Sequence, residues 1–213
     1  MPLYTSDALI LRTYSLGESD RIVVFLTRDR GKKRGVAKNA RQSRRRFGGA
    51  LEPLTCGRVG YVERERRDLV SLSYVEATRS PLAAADGEAL GYAEYFAELI
   101  DEWAQEADPN ETLFRLGASM VEALAAGIPI EPLARYFEFW LLRLEGVYEP
   151  DARLSPEARA FLASIRTSTP FALPDVAVSR GTLRELEQAH RALIARHLEK
   201  ELRSARVIRD MRR

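Results

Sequence analysis

Eight cations fall between Gly31 and Gly49, in the stretch GKKRGVAKNARQSRRRFGG: Lys32, Lys33, Arg34, Lys38, Arg41, Arg44, Arg45 and Arg46, with no acid among them. Lysine and arginine at such density can neutralise successive phosphates without a fixed geometry. The chemistry they suit is sequence-independent binding of a nucleic-acid backbone. A basic run by itself is more often a solvated surface or a disordered tail, so its surroundings have to decide. Phe47, at the end of the run, could stack on a base, although anchoring the loop is the commoner role for such a ring.

Other chemistries find little support. His190 and His197 are seven residues apart, which puts them on one helix face but two turns apart, not in the i, i+4 arrangement of a zinc-protease helix. The one cysteine, Cys56, excludes an internal disulfide and any cysteine-rich zinc site. Neither a Gly-x4-Gly-Lys-Ser/Thr loop nor a dinucleotide glycine signature is present. Ser19 lies between Glu18 and Asp20, but no histidine precedes His190 to serve as a base, so Glu18-Ser19-Asp20 reads as a turn. The residues therefore predict a binding protein with no catalytic group, cofactor or metal.

The elements that must position the basic run are short strands. DALILRTY, DRIVVFLT, GKKRGVAKN, LTCGRVGYVE and LVSLSYVEAT alternate or are rich in β-branched and aromatic residues, with SLGESD, RDRG and RERRD as turns between some of them. Five short strands in residues 1–80 predict a small closed barrel of the OB-fold kind. In such a barrel strands 2 and 3, with the loops joining strands 1–2 and 4–5, form the oligonucleotide face, and GKKRGVAKN is strand 3.

At Ser80-Pro81 the period changes to that of helices. Leu90, Tyr95, Phe96, Leu99 and Trp103 form one apolar stripe, and Asn110 is placed to cap a helix that stops at Gly127. IPIEPLARYFEFWLLRLEG has too many large apolar residues for an exposed helix and is taken as the central one. Ser155-Pro156-Glu157 opens another. Thr182 and Glu185 have capping-box spacing ahead of one long segment, LRELEQAHRALIARHLEKELRSARVI. The expected architecture is α+β in two domains: a five-stranded OB-fold barrel at residues 1–80, then an all-α domain at 81–213.

Charge divides along the same line. The net charge of +2 combines 17 bases against 9 acids in residues 1–80 with 16 against 22 in residues 81–213. Residues 82–113 hold nine acids and no base. A basic barrel, an acidic connector and a basic tail make nucleic acid the leading partner class. No window approaches a membrane span, and no leader precedes the first strand, which together with the single cysteine points to the cytoplasm.

The span LILRTYSLGESDRIVVFLTRDRGKKRGVAKNARQSRRRFGGALEPLT resembles the N-terminal domain of RecO, the bacterial family of recombination mediators. Gly17-Glu18-Ser19-Asp20, the Thr27 to Gly31 turn, Val36-Ala37-Lys38 and Gly49-Ala50-Leu51-Glu52-Pro53 carry the likeness. LARYFEFWLLRLEG and LEKELRSARVIRDM resemble the family's central and closing helices. The resemblance implies a non-enzymatic, nucleoid-associated protein that binds single- and double-stranded DNA and anneals complementary strands. It further implies that, with RecR, the protein helps to load recombinase onto DNA coated by single-stranded DNA-binding protein. The acidic C-terminal tail of that coat protein would dock on the helical domain. Arg135 matches a family arginine at the tail pocket, and Tyr136, Phe139, Leu142 and Arg143 lie beside it. Many members insert four zinc-binding cysteines after the central helix, where this chain has VYEPDARLSPEARAFLASIR and no cysteine. Zinc is therefore not expected. The residues leave open an OB-fold RNA-binding or translation accessory protein, and an adaptor whose acidic helices bind a partner.

Overall fold

Each N-terminal segment carries apolar residues on at least one face, and five such segments bury those faces by closing on one another. The computed structural model describes residues 2–43, 45–63, 68–84, 87–149, 151, 153–200 and 202–211. Its strands are β1 (Leu3–Leu16), β2 (Asp20–Thr27), β3 (Gly31–Ala37), β4 (Cys56–Val62) and β5 (Val70–Arg79). They form a closed barrel in the order β1-β2-β3-β5-β4. β3 and β5 are parallel and the other pairs antiparallel, as an OB-fold requires. β1 serves both sides of the barrel, pairing with β4 through Leu3–Leu9 and with β2 through Ala8–Leu16. A bulge between Ile10 and Arg12 lets it bend from one sheet into the other. Val23, Phe25, Val59, Tyr61 and Leu72 fill the interior.

After a 3-10 turn, Pro81–Ala84, come α1 (Gly87–Trp103), α2 (Glu111–Ala125), α3 (Ile130–Leu144), α4 (Pro156–Ile165), α5 (Arg180–Leu198) and α6 (Arg203–Met211). Asn110 caps α2 by accepting from the Leu113 backbone N–H, and Ser155 caps α4 in the same way from Ala158. α3 is the central helix, with Leu133, Phe137, Leu141 and Leu142 fully buried. Among the described residues no helix is long and apolar enough to cross a membrane.

The C-terminal segment departs from its expected form in two ways. Ser179, not Thr182, caps α5, by accepting from the Thr182 N–H. Glu185 reaches away to receive the backbone N–H and hydroxyl of Ser155 on α4 instead of closing a capping box. The segment is also two helices rather than one. Glu199 takes a left-handed backbone, φ 53°, and ends α5. The chain then restarts as α6, whose first backbone N–H groups, from Arg203 and Ser204, meet the carboxylate of Glu98 on α1. An anion at a helix start is favourable, and here it comes from a neighbouring helix, which no local motif could announce.

β5 ends at Arg79 and the helical part begins at Pro81, yet apolar packing runs across the junction. Leu9, Leu11, Val24 and Leu26 on the outside of the barrel belong to the same core as Phe96, Leu99, Ile100 and Leu113. Gly117 permits this approach: a Cβ there would stand 2.6 Å from Leu9 Cδ1 and 2.8 Å from Ile100 Cδ1.

Candidate nucleic-acid interface

The basic loop between β3 and β4 is held against the β1–β2 turn. Asp20 Oδ1 accepts the Asn39 N–H at 2.8 Å, and the Ser19 carbonyl accepts the Arg41 N–H at 3.2 Å. The Arg41 guanidinium donates to the Glu18 carbonyl at 3.2 Å and to Ser15 Oγ at 2.8 Å. Arg46 donates to Ser43 Oγ and to the Lys38 carbonyl, and lies 5.1 Å from the centre of the Phe47 ring. Phe47 itself is in the barrel interior, so it anchors the loop and offers no ring to a ligand. The result is a fixed ledge. Glu18-Ser19-Asp20, read from sequence as a turn, is also the clasp that holds this ledge in place.

The eight cations separate by their neighbours. Arg34, Lys38, Arg41 and Arg45 are exposed, and among the described residues none of them meets a carboxylate. Arg46 is half-buried in its own loop. Arg44 lies outside the described residues. Lys33 is paired with Glu63 at 2.8 Å, and Lys32 Nζ donates to the Asp101 carbonyl at 2.6 Å and to Asp101 Oδ1 at 3.2 Å. These two sit at the start of β3, where the chain after α1 closes on the barrel. Lys32 and Glu106 form a β-bridge, and Gly31 at φ +69° has the Asp108 backbone nitrogen 2.4 Å from where a Cβ would be.

Asp101 organises that closure. Its side chain is 4% exposed and is held by both Lys32 and Arg12. Val24 and Leu26, on the outward face of β2, are buried beneath the helices. Half of the face that oligonucleotides use in this barrel class is thus covered by the protein's own acidic helix. The open half, toward the β1–β2 turn, carries Arg34 on β3 and Lys38 and Arg41 on the adjoining loop, none of which meets a carboxylate among the described residues. The nine acids of the connector are in part structural: Asp101 clamps the barrel, Glu111 pairs with Arg28, Glu102 with Lys200, and Glu98 starts α6.

Two family models match the chain, Recombination protein O N terminal over residues 1–81 and Recombination protein O C terminal over residues 84–151. The chain belongs to the RecO family. It is 44% identical over 153 residues to the DNA repair protein RecO of Koribacter versatilis, a match that spans 70% of this chain and 61% of that protein. The RecO of Anaeromyxobacter sp. strain K is 41% identical over 141 residues, 65% of this chain and 55% of its own length. The RecO of Geobacter metallireducens is 40% identical over 142 residues, 66% of this chain and 57% of its own. The chain therefore spans between half and two-thirds of these relatives. α4 to α6 lie beyond the matched family span.

Of the five residues expected at a RecO tail pocket, Arg135 lines a cleft. A cleft of about 540 Å³ is lined by Tyr92, Tyr95, Arg135, Leu202 and Ile208, with Arg191, Lys200 and Arg209 also at its walls. Phe139 and Leu142 are core, Tyr136 packs beside Trp140, and Arg143 lies exposed over the Phe139 and Trp140 rings. Arg135 is buried and already paired, with Glu138 at 2.7 Å and Glu187 at 3.2 Å. Glu138 also receives the Tyr95 hydroxyl at 2.8 Å and meets His190 Nδ1 at 3.0 Å. Burial opposes ionisation of Glu138, but Arg135, His190 and Tyr95 outweigh it and hold the carboxyl below its ordinary pKa. Sequence reading missed this network because its members come from α1, α3 and α5.

The cysteine and the two histidines each take a separate place in the fold. Cys56 is on β4, His190 is buried against Glu138, and His197 stacks on Trp103 with ring centres 5.3 Å apart. Among the described residues no three potential ligands converge. Burial pushes the Cys56 thiol pKa up, which also disfavours a nucleophilic role.

Proposed function

We propose that this protein is a non-enzymatic DNA-binding mediator of recombinational repair. It holds single- and double-stranded DNA on the rim of its barrel, anneals complementary strands and helps to load recombinase onto protein-coated single strands. The observation that supports this best is the fixed ledge bearing Arg34, Lys38, Arg41 and Arg45, exposed and with no carboxylate partner among the described residues. Lys32 and Lys33 contribute by holding β3, and Arg46 by shaping the loop. Unpaired cations at fixed positions attract a regular polyanion and release its counterions. RecR and the acidic tail of single-stranded DNA-binding protein are its proposed partners, on family resemblance. The tail is assigned to the cleft beside Arg135, where Tyr92, Tyr95 and Ile208 line the wall and Lys200, which a competing acidic tail would have to draw from Glu102, supplies a cation.

A strand-annealing assay on DNA coated with single-stranded DNA-binding protein tests the reading. Added protein should accelerate annealing, and changing Arg34, Lys38 and Arg45 together to alanine should abolish the acceleration. No acceleration by the wild type would contradict it. Tighter binding to RNA than to single-stranded DNA of the same sequence would favour an RNA-binding role instead. For the cleft, calorimetry with a tail peptide should show weaker binding to Lys200→Glu; equal affinity would remove the cleft as the site.

A further inference from the structure

The open half of the β1-β2-β3 face holds an apolar patch as well as cations. Strand register sets Tyr14 opposite Ile22 and Ile22 opposite Val36. Val23 and Ala37, their neighbours along the strands, point into the barrel, so Ile22, Val36 and their partner Tyr14 face outward together. The next row, Arg12, Val24 and Arg34, faces the same way. There the cover begins, with Val24 already buried under the helices. Tyr14 stands just beyond that edge. It is 39% exposed, Leu16 is equally so, and Ile22 and Val36 are half-buried. The Arg12 guanidinium, fixed by Asp101, is 5.2 Å from the centre of the Tyr14 ring and braces it. Arg34 on β3 and Lys38, just past the end of that strand, flank the patch.

An aromatic ring on an open sheet face, edged by apolar neighbours and by cations that meet no acid among the described residues, fits an unpaired nucleobase with its phosphates alongside. Duplex DNA presents the same phosphates, but its bases are already stacked on each other. We propose that Tyr14, flanked by Ile22 and Val36, is the base-stacking residue of this interface and biases it toward single-stranded DNA. The proposal rests on the DNA-binding reading above and adds to it a residue outside the basic run.

The test compares wild type, Tyr14→Ala and Tyr14→Trp for binding to an oligothymidine single strand and to a duplex of equal length, across a range of salt. Tyr14→Ala should weaken single-strand binding about tenfold, the scale of one lost base–aromatic stack. Duplex affinity and the salt slope should not change, because no phosphate contact is lost. Tyr14→Trp should bind the single strand at least as tightly as wild type. Unchanged single-strand affinity in Tyr14→Ala, with a steep salt slope retained, would remove the stack and leave the electrostatic reading standing. Equal losses on single strand and duplex, or a loss in Tyr14→Trp as large as in Tyr14→Ala, would make Tyr14 a scaffold residue and overturn the proposal. A wild type that binds neither DNA would overturn both.

Discussion

The charges around Glu138 and those around Arg41 are built from the same residue types but handled in opposite ways. In the helical body Arg135 and Glu138 have side chains only 4% and 3% exposed, and Glu138 is met by an arginine, a histidine and a tyrosine. At the barrel rim Arg34, Lys38, Arg41 and Arg45 are exposed, and none meets an acid among the described residues. A buried ion pair adds little net stability, yet removing one member strands the other in a poor solvent. An exposed cation contributes almost nothing to folding and keeps its field for a ligand. The first cluster therefore belongs to stability, and the second suits the binding proposed for it. Asp101 stands between the two regimes: it is buried, yet the cations it holds, Arg12 and Lys32, come from the barrel.

The comparison breaks first at Arg135. Arg135→Ala should destabilise the fold by about 3–5 kcal/mol, because Glu138 would lose its main counter-charge. Denaturant titration would show it, and an effect under about 1 kcal/mol would mean that the network is not closed as described. Next is the joint between barrel and helices. Gly31→Ala adds a Cβ against the Asp108 backbone at a left-handed φ of +69°. It should cost about 1–3 kcal/mol from the backbone conformation alone. Its melting temperature should fall while the unpaired rim cations remain in place.

Acid sharpens the contrast. Because the folded pKa of Glu138 is depressed, its ionisation contributes stability that is fully present above the ordinary glutamate value of about 4.3. That contribution is lost as pH falls through the lower folded value. Glu138→Gln should be less stable than wild type at neutral pH and should lose less on acidification. Parallel pH profiles for the two proteins would contradict the assignment.

Much of the fold was legible in the sequence because local patterns carried it. Alternation or a run of β-branched and aromatic residues marked all five strands, and Asn110 and Ser155 announced their helices by side-chain chemistry alone. The break at Glu199 was not legible, since LEKELRSARVI keeps a helical apolar period on both sides of it and the acid that starts α6 is Glu98, over a hundred residues earlier. The candidate site was half legible. The density of Lys and Arg located the rim, but composition could not show that Asp101 and Glu63 engage Lys32 and Lys33. Nor could it show that Phe47 points inward while Tyr14, outside the run, points outward. A strand pattern gives two faces without saying which one a later helix will cover.

The account rests on the rim, and the salt dependence of binding tests it most directly. Affinity for single-stranded DNA should fall linearly on log–log axes, with a slope of roughly 0.7 for each phosphate neutralised. Changing Arg34, Lys38 and Arg45 together to alanine should flatten that slope by about 2, at three such contacts. Stability should stay within about 0.5 kcal/mol of wild type, as for most surface substitutions. A variant that keeps the wild-type slope would contradict the assignment and move the interface off the barrel rim.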